Sequence, residues 1–412
     1  MSAPREAGAY SVLAHEANID AHWDTLIRPL LAKRFPRATR DEVAKARAYA
    51  YGGAVIQDLG YYPFGSRFFS NLVHYVRTGD FVEALLSEAH DLDEYAFALG
   101  ALSHYTADNV GHPEGVNRAI GLMYPKLRAQ FGDSVTYADA PATHVLVEFS
   151  FDVLQAASGA YVSDMYQSFI GFEVAKPVLE RAFLATYHLE MNDVFLTEDL
   201  AIGSYRHAIS QTIPEITRIA WRDKRDEIQQ LNPGAAEEKF VFNLSRQEYD
   251  KAYGTKYAKP SLLARVLAFL YKLLPKIGPL KPLQFEAPTK EAEALFLQSF
   301  KDTRERYRAA LETLSRGRLE LANTNFDTGT PSVHGGYTLA DDTYAELLKR
   351  LTGHRLATVP EALRAHINAF YAAAPDRMSS RKERKRAGKI RQQLALLNRT
   401  TNTKETKEKL KP

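Results

Sequence analysis

The chain has no cysteine in 412 residues. That excludes disulfides and thiolate metal sites, so any metal must be held by nitrogen and oxygen ligands. Long uncharged apolar runs are also missing, none reaching the roughly 18 residues a membrane helix needs. Met1 to Tyr10 lacks an apolar core, so the residues as written lead one to expect neither a signal peptide nor a membrane span. Strand signals are scarce. Charge of one sign is no more abundant than the other, with 53 Lys and Arg against 50 Asp and Glu. The balance hides an asymmetry: residues 377–412 carry thirteen Lys and Arg and three Glu, a net of +10, against −7 for the rest.

What is present is an ordinary globular composition, 45% hydrophobic and 25% charged, in a chain long enough for two or three domains. Helical periodicity dominates. Leu13, Ile19, Trp23, Leu26, Ile27, Leu30 and Leu31 suit a helix interrupted near Pro29. Thr39 to Glu42 reads as a capping box opening an Ala-rich helix that runs to about Ile56. Gly60 to Gly65 is an aromatic turn, and the spacing of Phe69, Leu72, Val73 and Val76 predicts the next helix. Thr78 to Asp80 breaks the pattern and caps a helix leading through Glu94 into Ala98–His112. Helical pattern continues to about Arg225. A short strand is expected at 240–242, a helix from Thr289 to about Ala322, turns at 325–331 and 335–337, and short helices at 341–351 and 360–374. The expected class is mostly α: a helical core over 1–230, a helical extension over 231–375 packed on it, and a basic, disordered tail over 376–412.

The chemistry concentrates around Ala98–His112. His104, Asp108 and His112 stand four apart, which places them in one drifting row on a helix face. His144 and Glu148 repeat the spacing. His15, Asp58 and His74 lie in similar surroundings, making eight N/O ligands in all. Metal ions are the simplest reason to assemble them. His22, His90, His188, His207, His334, His354 and His366 read as ordinary core or surface imidazoles.

The order His15, Asp58, His74, His104-x3-Asp108, His112, His144-x3-Glu148, with Ala98-Leu99-Gly100-Ala101-Leu102-Ser103-His104-Tyr105, resembles the zinc-dependent phospholipase C family, which shares its fold with P1/S1-type nucleases. Segments such as 275–279 and 325–331 also look like those of bacterial members. The resemblance implies a multi-helix core of that type with additional C-terminal helices, and two or three zinc ions. Asp58, His74, His104 and Asp108 would hold one, His112, His144 and Glu148 a second, and His15 with a bridging Asp108 a third. Asp58 would also take a proton from the attacking water. Three residues separate Asp108 from His112 where the family usually has five, so either the second zinc is displaced or the helix runs on. Family enzymes complete the third zinc with an N-terminal tryptophan, whereas here nine residues precede Tyr10. Leu59 follows Asp58 where the choline-preferring member has an aromatic.

The implied activity is hydrolysis of a phospholipid phosphodiester by metal-activated water. The alternatives are a P1/S1-like nuclease or nucleotidase, and a non-catalytic, metal-stabilised membrane-associated protein. Tyr61, Tyr62 and Phe64 are candidates for an aromatic wall facing a quaternary ammonium, or for packing of the turn into the core. Residues 262–285 combine apolar runs with Lys272, Lys276 and Lys281 and read as a core helix or an interfacial one. The basic tail is dense enough to meet a membrane surface. No nucleic-acid partner is expected, since no binding-fold signature accompanies it. The family resemblance points to export.

Overall fold

A computed structural model describes residues 12–158, 172–212, 221, 225–226, 229–230, 287–355, 359–372 and 381–408. The expected strand at 240–242 and the segment 262–285 lie outside these residues, as does the chain before Val12. The architecture is mostly α, as the periodicity and the resemblance imply. Helices α1 (Val12–His22), α2 (Arg28–Arg34) and α3 (Arg40–Val55) open the chain. A π-helical turn, Trp23–Ile27, separates the first two, and Pro29 sits in the first turn of α2, where its missing N–H does no harm. The capping box at α3 forms, with Thr39 and Glu42 bonding each other's backbone.

A 3-10 turn, Ile56–Tyr61, leads to α4 (Arg67–Tyr75) and α5 (Thr78–Glu88). The pattern suggests one helix from there through Glu94, but the chain breaks at Ala89–Asp91. Asp91 accepts the Glu94 N–H at 2.9 Å and starts α6 (Leu92–Val110). An aspartate cap inside continuous apolar periodicity is easily missed, because the periodicity reports burial and not backbone continuity. After α6 come a π-helical turn (Gly111–Val116), α7 (Asn117–Met123), α8 (Pro125–Phe131) and α9 (Pro141–Ser158). Then follow α10 (Lys176–Tyr187), α11 (Met191–Val194) and α12 (Glu198–His207). The C-terminal segment supplies α13 (Lys290–Arg316), a two-residue hairpin of β1 (Thr324–Asn325) with β2 (Thr330–Pro331), α14 (Thr338–Arg350), α15 (Glu361–Ala372) and α16 (Arg381–Glu408). None of the described helices is long and apolar enough to cross a membrane.

α6 is the central helix, buried on nearly every side. Its closest neighbour is α3, and glycines set the approach. A β-carbon on Gly53 would lie 1.8 Å from the Phe97 carbonyl oxygen, and one on Gly100 would lie 2.0 Å from that of Ala50. This contact brings the backbone of Ala54 to the ring of His104. α13 covers another side, where the Tyr307 hydroxyl donates to the Leu99 carbonyl at 2.9 Å.

The disordered tail expected from the charge run is a helix over 381–408. Ile390, Leu394 and Leu397 form an i, i+4, i+7 stripe of which Ile390 and Leu397 are buried, and Asn398 exchanges two amide bonds with Asn368 of α15. The charge density masks that stripe.

Gly53→Ala should destabilise the protein by about 1–3 kcal/mol, the usual cost of overpacking a core, seen as a lower melting temperature. Gly388→Ala in α16 has nothing within 4 Å of the added methyl and should leave the melting temperature unchanged or slightly raised.

Candidate metal centre

All eight candidate ligands of the sequence meet in one buried cluster. His15 comes from α1, Asp58 from the 3-10 turn, His74 from α4, His104 and Asp108 from α6, His112 from the π-helical turn, and His144 and Glu148 from α9. None exceeds 2% exposure. Asp108 is the hub. Its Oδ1 lies 3.5 Å from His15 Nε2, and its Oδ2 lies 3.4, 3.0 and 3.6 Å from the Nε2 atoms of His74, His104 and His112.

Each element is fixed by bonds that leave the ligand atoms turned inward. The Leu13 N–H at the start of α1 donates to Asp152 at 2.9 Å, and Asn18 donates to Ser103 of α6 at 2.7 Å. The His15 ring then stacks on His104 with centroids 4.4 Å apart. Ser70 accepts the Gly60 N–H at 2.8 Å and donates to the Gln57 carbonyl, holding the turn that carries Asp58. His74 Nδ1 lies 2.7 Å from the Ser70 carbonyl and His104 Nδ1 lies 2.9 Å from the Ala54 carbonyl. A carbonyl only accepts, so Nδ1 carries the proton in both rings and a neutral ring presents a bare Nε2.

Those two Nε2 atoms face each other at 3.4 Å, and His74 Nε2 lies 3.3 Å from Asp58 Oδ1. In the neutral state the arrangement points lone pairs at lone pairs. A cation resolves the conflict, and the separations suit one: zinc with N and O ligands at about 2.0–2.2 Å in tetrahedral geometry places its donors about 3.4 Å apart. Without a metal the positive charge must be a proton. Burial would lower the His74 pKa, but Asp108 and Asp58 outweigh it and carry it to about 10. Burial likewise opposes protonation of His112, and Asp108 and Glu148 raise its pKa above the ordinary value. Asp108 is held well below the usual carboxylate range by His104 and His112, against the effect of burial. His144 is pushed down by burial and stays neutral.

The second half of the cluster pairs His112 Nδ1 with His144 Nε2 at 3.0 Å, and His144 Nε2 with Glu148 Oε1 at 2.9 Å. The short Asp108 to His112 step is accommodated by a helix that runs on. Val110 is followed directly by the π-helical turn, whose wider winding lets His112 contact Asp108 through one ring nitrogen and the His144 side through the other.

The aromatic candidates separate. Tyr61 is buried against the cluster, its ring edge-on to His74 at 5.8 Å and 6.0 Å from Tyr137. Tyr62 stacks on Tyr205 at 3.9 Å, and Phe64 is 49% exposed with a left-handed backbone. Sequence reasoning missed two residues at the site. The Phe326 ring lies 5.3 Å from His74 and 6.0 Å from His104, and Asp327 Oδ1 lies 3.8 Å from His112 Nδ1. Both occupy a turn far along the chain, with no periodicity linking them to the helical ligands; the turn residues and the likeness of 325–331 to bacterial members were the only signals.

Groups of three able to hold a metal are His15, His104 and Asp108; Asp58, His74 and His104; and His112, His144 and Asp327. Residues 21–196 match the family model described as zinc dependent phospholipase C. This segment belongs to the zinc-dependent phospholipase C family. The match covers less than half of the chain, includes Asp58 to Glu148, and leaves His15 and Asp327 outside. No curated protein and no solved structure gives a significant match. The matched family is zinc dependent and acts on phospholipids by its description, and the donor set of the cluster, all imidazole and carboxylate, is one that zinc accepts.

If Asp108 is the hub, Asp108→Asn should abolish stabilisation by zinc. A ligand at 100 times its Kd stabilises by about 2.7 kcal/mol. Scanning calorimetry with and without zinc should show a rise in melting temperature in the unchanged chain, from a stabilisation of that order, and none in the variant.

Proposed function

We propose that the chain is a zinc-dependent phosphodiester hydrolase of the phospholipase C type, cleaving phospholipids between glycerol and phosphate. The observation that carries this reading is the convergence of bare imidazole nitrogens on Asp108 in a buried cluster with further carboxylates. Asp58, Asp108 and Asp327 have no Lys or Arg in ion-pair reach among the described residues. Leaving such charges uncompensated would cost several kcal/mol each. Bound divalent ions compensate them, and two or three fit the three ligand groups.

When bound, zinc supplies a water whose pKa is lowered to about 7 and positive charge beside the phosphoryl oxygens. The residues divide the remaining work. Asp58, His74, His104 and Asp108 would hold the first ion, and His112, His144 and Glu148 the second. His15 reaches Asp108 at Oδ1 and His74 reaches it at Oδ2. Asp58, inside the Ile56–Tyr61 turn, would accept the proton of the attacking water. The aromatic rings of Tyr61, Tyr137 and Phe326 wall the cluster, keeping its dielectric low and strengthening the interaction of the ligands with developing charge. Tyr61 is also the one aromatic of the predicted trio in position to face a head group.

Asp58→Asn should lower headgroup release from phosphatidylcholine vesicles by about 10²–10⁴, the range for loss of a general base. The measurement is phosphocholine released by zinc-loaded protein. A zinc-loaded chain that leaves phospholipid uncleaved would overturn the proposal, and cleavage of single-stranded nucleic acid instead would point to the nuclease branch of the fold.

A further inference from the structure

Resting on the zinc-dependent reading above, we propose that Asp327 is a metal ligand, joining His112 and His144 at an ion site whose other donors lie in the family-matched segment, so that the C-terminal segment is a constituent of the metal centre.

The hairpin carrying Asp327 has two residues in each strand, too little to be stable alone, and its place is set by bonds to the ligand-bearing elements. The Phe326 N–H donates to the carbonyl of His74 itself at 3.1 Å. Thr324 and Thr78 exchange bonds of 3.0 and 2.8 Å, and the Thr324 hydroxyl reaches Asn109 of α6 at 2.6 Å. Asn117 of α7 donates to the Asp327 carbonyl at 2.7 Å, and the Asp327 N–H is taken by Asn325 at 2.9 Å. The turn is therefore anchored on both sides of the cluster.

The side chain is held just as specifically. Oδ2 accepts from the Tyr137 N–H at 3.0 Å and from the Tyr337 hydroxyl. Burial first, and the charge of Asp327 second, raise the Tyr337 pKa, so the phenol stays a donor. Oδ1 is left buried with no hydrogen-bond donor, 3.8 Å from His112 Nδ1. That distance is too long for a hydrogen bond and close to the separation of two ligands of one ion. A turn aspartate usually caps the N–H groups of its own turn. Asp327 caps none of them: one oxygen is fixed by donors from two other segments, and the other is presented to the imidazole pair. Tyr337 is accordingly a positioning residue that orients the ligand.

The test is a calorimetric titration of the metal-free full chain with Zn²⁺, together with zinc content after dialysis. Asp327→Asn should lose one zinc per chain or bind it at least ~10-fold more weakly, and Tyr337→Phe should weaken the same site by ~10-fold, as is typical when a ligand's hydrogen-bonding partner is removed. Asp341→Asn, the same charge change where the carboxylate bonds His334 and Gly335, should bind as the unchanged chain does. Unaltered zinc binding by Asp327→Asn overturns the inference while leaving the zinc-dependent reading intact. An unchanged chain that takes up no zinc overturns that reading instead. If far-UV circular dichroism shows Asp327→Asn unfolded, Tyr337→Phe decides, and unaltered zinc binding by that variant overturns the inference.

Discussion

The structure depends on one buried carboxylate. Asp108 sits on the central helix with four imidazoles around its two oxygens, and the other ligands meet it through those rings. Such a group is tolerable in an apolar interior only if positive charge is close. The two rings whose Nδ1 protons are tied to backbone carbonyls present bare nitrogens that neither neutralise it nor donate to it. The choice is between protons and metal ions, and the zinc-dependent family matched by residues 21–196 favours the metal.

Positioning that centre is the main task of the fold. The glycines of α3 and α6 let the backbones touch, which puts the Ala54 carbonyl within 2.9 Å of His104 Nδ1 and fixes its tautomer. Ser70 serves two ligands, since its hydroxyl pins the Asp58 turn and its carbonyl orients His74. The π-helical turn after α6 bends the row of ligands so that His112 faces two sets of partners. These are local features of short range, and together they leave the cluster little freedom to rearrange around whatever binds.

The helical ligands were legible because the α-helix converts a four-residue spacing into a shared face, so His104 with Asp108 and His144 with Glu148 announced themselves. His15, Asp58 and His74, which no local spacing connects, stood out only by their surroundings, and the family order gave them a place in the ligand set. What stayed hidden has specific causes. Asp327 and Phe326 arrive from a turn whose position is set by tertiary hydrogen bonds. The break at Asp91 is a capping event inside continuous apolar periodicity. The helix at 381–408 follows from a three-residue apolar stripe that its charge density obscures. Tyr61, Tyr62 and Phe64 are consecutive or nearly so, but the turn sends them to three different environments, one against His74, one onto Tyr205 and one into solvent.

The most direct test of the central claim is a crystal structure of the zinc-loaded chain with data collected on both sides of the zinc absorption edge. Anomalous peaks at ligand distance from Asp108, between it and the Nε2 atoms of His74 and His104, are the result the account predicts. A map without anomalous scatterers beside Asp108 in zinc-saturated crystals would contradict it and leave the cluster as a set of protonated imidazoles paired with carboxylates.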